Sequence, residues 1–170
     1  MRLRSESGLG LLELLVAMVI LTVALLALLA ALGTGAASLR RASRTSTAAA
    51  LADSQLELYR ALRYSALSLD AAALGTADGD PVYAGDHPRD AGGALQPDVS
   101  ASCPALPNEC NPRRSLTGQD RLRYRVDTYI TQVTPPGGRP GKQVTVIVRD
   151  GTRPGAALAR VTSLFDPALG

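Results

Sequence analysis

The chain has 170 residues, with 18 Lys and Arg against 15 Asp and Glu and a formal charge of +3. Aromatic residues make up 4% of it, with one Phe and no Trp, so any soluble core is small. The basic residues are almost all Arg, and no basic cluster is interleaved with aromatics, which argues against nucleic-acid recognition.

Apolarity is concentrated at the N-terminal end. In residues 9–32 the only polar side chains are Glu13 and Thr22. As helix this run would be about 36 Å long at ~1.5 Å per residue, enough to cross a hydrocarbon core of about 30 Å. Arg2 and Arg4 precede it, as in a secretory signal peptide. Such a peptide, however, has an apolar core of about 7–15 residues and a small-residue cleavage site. This run is longer and continues into helix-compatible sequence. A plain membrane anchor fits the length but leaves Glu13 unexplained, because a charge in a span costs about 3 kcal/mol or more.

Residues 38–72 read as an amphipathic continuation of the same helix. Leu51, Gln55, Leu58 and Leu62 recur at helical spacing, with Ala48 extending the stripe. Residues 73–120 are dense in Gly, Pro, Asp and Ser and read as a long variable loop. Within it, His87 lies beside Asp86 and Asp90, but no nucleophile motif accompanies them. Asp78, Asp80 and Asp86 do not follow a calcium-loop pattern and read as turn formers.

Residues 121–170 read as an antiparallel β-sheet. The first strand places Leu122, Tyr124, Val126, Thr128 and Ile130 on one face and Arg121, Arg123, Arg125 and Asp127 on a solvated one. A second strand turns Val144, Val146 and Val148 inward, and a third runs up to Phe165. The expected fold class is α+β: a long N-terminal helix packed on a small sheet of three or four strands.

The stretch from Ser7 to Ala31, SGLGLLELLVAMVILTVALLALLAA, resembles the type IV prepilin family of pilins, minor pilins and type II secretion pseudopilins. That family has a short basic leader ending in Gly, then an apolar helix with Glu at its fifth mature position. The resemblance implies a leader of residues 1–8, cleavage between Gly8 and Leu9 by a prepilin peptidase, N-methylation of Leu9, and an assembly role for Glu13. It further implies a transmembrane half-helix over residues 9–37 and a pilin-like architecture. Leu9 replaces the family's usual Phe, and Gly10 its usual Thr. The apolar helix has no Pro, so Gly33 and Gly35 are its expected soft point.

The physics of Glu13 agrees with the resemblance. A new amine at Leu9 would lie one helical turn from Glu13, and a buried carboxylate beside an ammonium costs far less than either alone. The implied partners are the peptidase/methylase, other pilins or pseudopilins in a helical filament, the inner-membrane assembly platform, and membrane lipid before assembly. No enzymatic activity, catalytic residue, metal or cofactor is expected. The implied location is the cytoplasmic membrane, single-pass with the N-terminus inside, then an extracytoplasmic filament. Arg40, Arg41 and Arg44 after the span run against the positive-inside rule, which a long translocated domain overrides. Outside the cytoplasm, Cys103 and Cys110 are expected to form a disulfide. A metal site would need more ligands than one histidine supplies. The competing reading is a membrane-anchored binding or enzymatic domain with an uncleaved signal anchor.

Overall fold

The computed structural model describes residues 7–100 and 109–167. These divide into two units, one ending at Ala42 and one beginning at Ser43. The first unit is helix throughout its described length, the start of α1 (Ser7–Arg60). Gly33 and Gly35 do not interrupt α1.

The second unit begins with residues 43–60 of α1. Then come a 3-10 turn (Tyr64–Ala66), β1 (Leu69–Asp70), α2 (Ala71–Asp78) and α3 (Pro81–Gly85). The short strands β2 (Arg89–Asp90), β3 (Gly93–Ala94) and β4 (Val99–Ser100) follow. The main sheet is built from β5 (Arg113–Thr117), β6 (Arg123–Val133), β7 (Gly141–Asp150) and β8 (Ala159–Phe165), paired antiparallel in that order. Val126 faces Val148, Thr128 faces Val146, and Ile130 faces Val144. Val146 in turn faces Val161. This meander of alternating β-branched residues is what the strand pattern dictates.

The α1 residues buried in the second unit are Ala48, Ala52, Gln55, Leu56 and Tyr59. The seam keeps Ala48 and Gln55 of the expected stripe but is rotated toward Ala52, Leu56 and Tyr59, which leaves Leu51, Leu58 and Leu62 only half-buried. Small residues at 48 and 52 permit close approach, and polar anchors fix the register. Arg114 Nη1 donates to Gln55 Oε1 at 2.7 Å, and the Tyr59 hydroxyl donates to the Glu109 carbonyl at 2.6 Å.

The helix stops well short of the expected residue 72. The Leu62 N–H turns back to the Tyr59 carbonyl, and Arg63 is extended with ψ 146°. Leu67 and Leu69, at 0% and 1% exposure, enter the core two residues apart, a spacing an α-helix cannot bury on one face. Lys142 holds this corner. Its Nζ donates to the Leu67 carbonyl at 2.6 Å, lies 3.2 Å from Asp98, and sits 5.0 Å above the Tyr64 ring.

The expected loop over residues 73–120 contains two helices and β5. Asp70 caps α2 by accepting from the Ala73 N–H at 2.8 Å. Asp80 caps α3 by accepting from Val82, and Pro81 occupies the first turn. The α3 segment lies against the β6 face that was expected to be solvated. Tyr83 stacks on Tyr129 with ring centroids 4.4 Å apart, and each hydroxyl donates to a backbone carbonyl, that of Tyr83 to Thr128 and that of Tyr129 to Tyr83. β6 is consequently buried on both faces from Tyr124 to Thr131. Of the expected arginine stripe, Arg121 and Arg123 are exposed, whereas Arg125 is buried.

The charges on that covered face are paired. The fully buried Asp127 accepts from Arg125 Nε at 2.7 Å and from Arg149 Nε at 3.4 Å. Arg125 and Arg113 both reach Asp80, at 2.9 and 2.8 Å, and Arg149 pairs with Asp86. Burial pushes the Asp127 carboxyl up, against the hydrogen bond and charge of Arg125. At Asp80 burial acts the same way, but hydrogen bonds from Arg125 and the backbone of Val82 and Tyr83 prevail. They hold its carboxyl below the usual range.

Candidate functional site

The apolar part of α1 has no partner within its own unit. The large side chains from Leu11 to Leu32 are 50–70% exposed, and they lie all round the helix. Such a surface in water is unfavourable, and its length and composition suit a membrane crossing. The sequence makes it helical without help, being rich in Leu and Ala and free of Pro.

Polar groups on this stretch divide into two kinds. The Thr22 hydroxyl donates to the Met18 carbonyl at 2.7 Å, and the Thr34 hydroxyl donates to Ala31 at 3.0 Å. Both are satisfied inside the helix, as a hydroxyl in an apolar medium must be. Glu13 is exposed and makes no ion pair among the described residues. It lies on the rim of an open groove lined by Gly10, Leu14, Ala17, Met18 and Leu21. Gly10 and Ala17 hollow that face, so another helix could approach closely beside the carboxylate.

Gly8 and Leu9 both lie within α1, and Leu9 is one turn before Glu13. Helical geometry thus brings the backbone nitrogen of residue 9 and the carboxylate of residue 13 to one side of α1. In the intact chain that nitrogen is an amide and carries no charge. Cutting the 8–9 peptide would turn it into an ammonium beside an otherwise uncompensated carboxylate.

The remaining sequence candidates sit in the second unit. Cys110 is 3% exposed, and the described residues include no free cysteine; Cys103 lies outside them. His87 is half-buried, with its ring edge on Tyr129 at 5.7 Å and Nδ1 3.3 Å from the Pro88 carbonyl. The carboxylates of Asp80 and Asp86 are occupied by arginines, and Asp90 closes a turn by accepting from the Gly92 N–H at 2.7 Å. Among the described residues no group of three or more His, Cys, Asp or Glu is arranged to hold a metal ion. The polar residues that sequence reasoning missed are Arg114, Arg149 and Lys142. Each is structural, and a Lys or Arg on a sheet strand gives no local sign of burial.

Residues 3–29 match a family model described as the prokaryotic N-terminal methylation motif. No curated protein and no solved structure matches the chain.

Proposed function

Because residues 3–29 carry the N-terminal methylation motif that marks type IV prepilin-like proteins, we propose that this chain is a structural filament subunit. It is a minor pilin or pseudopilin of a type IV pilus-like filament or a related secretion or DNA-uptake machine. The prepilin peptidase cleaves after Gly8 and methylates the amine of Leu9. The subunit then waits in the cytoplasmic membrane, N-terminus inside, until the assembly platform passes it into a filament of other pilins or pseudopilins. Its work is assembly, and it is not an enzyme.

The observation that carries this reading is Glu13, an unpaired carboxylate on an exposed apolar helix, one turn from the amine that cleavage would create. In a bundle of such helices the ammonium of one subunit meets the Glu13 of the next. Each charge thereby escapes burial alone, which costs several kcal/mol in a dry site. Register follows from the same pairing, since sliding one helix by a turn separates the charges.

Gly8→Val tests the reading. A side chain at residue 8 crowds the scissile peptide, so the variant should accumulate as an uncut, membrane-held precursor while the wild type is shortened. Normal shortening of the variant would remove the main support for the assignment and favour an uncleaved signal anchor.

Translocation of the second unit also accounts for Cys103 and Cys110 as a disulfide. Closing so short a loop contributes about 2–3 kcal/mol in the chain-entropy model. Protein prepared without reductant should resist alkylation and gain the mass of two hydrogens on reduction. Two alkylated thiols before reduction would count against the bond.

A further inference from the structure

The end of the second unit where α1 enters it carries an arginine cluster that the assembly reading leaves unused. Arg44, in the first turns of the unit, pairs with Asp150 at 3.5 Å. Asp150 Oδ1 also accepts from the Thr152 and Arg153 backbone N–H groups, which folds the β7–β8 turn beside the helix. The Gly151 N–H donates to the Arg123 carbonyl at 2.8 Å, bringing the start of β6 to the same place. The turn before β6 is pressed against α1 too: a Cβ at Gly118 would stand 2.6 Å from Thr47. Four arginines (44, 121, 123 and 153) thus gather at one end, and all four are exposed.

Two features single this cluster out. First, its carboxylates are engaged. Asp120 accepts from the Leu122 N–H and the Tyr124 hydroxyl, and Asp150 is held as above. Among the described residues Arg121, Arg123 and Arg153 have no ion-pair partner, so their guanidinium groups face solvent. Second, Arg121 has φ +61°, the left-handed region that disfavours any residue bearing a Cβ. Gly or Asn would relieve that cost, so an arginine there needs a reason of its own.

We propose that this end of the unit is a docking surface for anionic phospholipid head groups. The proposal rests on the reading above only in placing α1 in a membrane. Arg44 follows Leu32 by about 18 Å of chain even when helical, so the cluster is tethered within reach of the surface that the apolar run enters. Guanidinium groups bind phosphate oxygens in a bidentate fork, which suits a phosphodiester head group. A single-stranded nucleic acid would need an exposed aromatic face for its bases to stack on, yet Tyr124, the aromatic ring beside the cluster, is 1% exposed. The surface would hold the second unit of an unassembled subunit at the membrane and give way when the subunit is extracted.

The test uses the full chain in a nonionic detergent and measures binding of dioctanoyl phosphatidylglycerol against dioctanoyl phosphatidylcholine. The glycerol lipid should bind at least about tenfold more tightly, and the preference should shrink as salt rises. The triple variant Arg121→Gln, Arg123→Gln, Arg153→Gln should lose most of that preference and bind the two lipids within about twofold of each other, with an unchanged circular dichroism spectrum. Equal binding of the two lipids by the wild type, or an undiminished preference in the variant, would overturn the proposal. So would equally tight binding of glycerol phosphate, which would make the ligand a free phosphate ester, or displacement of the lipid by an equal charge of duplex DNA. Arg44→Gln alone keeps the test valid if the triple variant fails to fold, and it should weaken the preference severalfold. The assay does not depend on cleavage after Gly8, so its failure leaves the filament reading standing.

Discussion

Glu13→Gln is expected to leave cleavage after Gly8 intact and to cut incorporation into filaments by at least about tenfold. The variant keeps the shape and the helix but removes the charge. Leader, Gly8 and apolar run are untouched, so the peptidase still has its substrate. In the assembled bundle the ammonium at Leu9 would then be buried without a counter-charge. Losing one member of a buried pair costs about 3–5 kcal/mol, and a residual hydration shell reduces that without abolishing it. The comparison is between a sheared-filament fraction and a membrane fraction, in cells making equal amounts of both proteins. Processed protein that stays in the membrane is the predicted pattern. Wild-type incorporation would show that Glu13 has no assembly role, and loss of processing would move its role to peptidase recognition.

The second large effect belongs to the folded unit. Asp127→Asn should destabilise it by about 2–3 kcal/mol, because the change takes from Arg125 and Arg149, at 7% and 3% exposure, the buried carboxylate they share. Both guanidinium groups keep other partners, Asp80 and Asp86 respectively, so the fold survives but its α3 cover loosens from β6. Arg160→Gln is the control. Its partner Asp86 is 3.7 Å away and its side chain is 53% exposed, so it should cost less than about 1 kcal/mol. Thermal unfolding of both variants, followed by tyrosine fluorescence in one detergent, measures the difference. Equal melting temperatures for the two would mean that the Asp127 pairings do not hold the sheet's second face.

Much of this architecture is legible in the sequence because it follows from period alone. A run without polar residues gives the first half of α1, and alternation of Val, Thr and Ile gives β6 and β7. Glu13 is legible for the opposite reason, since a lone carboxylate in such a run demands compensation. The two short helices were signalled, by Asp70 before an Ala run and by Asp80-Pro81, but a Gly- and Asp-rich background hides cap signals among turn signals. What no local pattern could reveal is the burial of Arg125, Asp127 and Arg149. Alternation says which residues share a face, and only the packing of Tyr83 on Tyr129 says that this face is covered. The rotation of the α1 seam has the same origin, because packing against the sheet buries Ala52, Leu56 and Tyr59 beside the expected Ala48 and Gln55 and leaves Leu51 and Leu58 half-buried.

Assembly through Glu13 requires that cleavage after Gly8 create a charged, methylated amine one turn away. Mass spectrometry of the N-terminal peptide of protein isolated from its native membrane reads that amine. The expected peptide begins at Leu9 and is heavier by one methyl group on its α-amine. An intact N-terminus at Met1, or a cut after the apolar run near Gly35, would contradict assembly through Glu13.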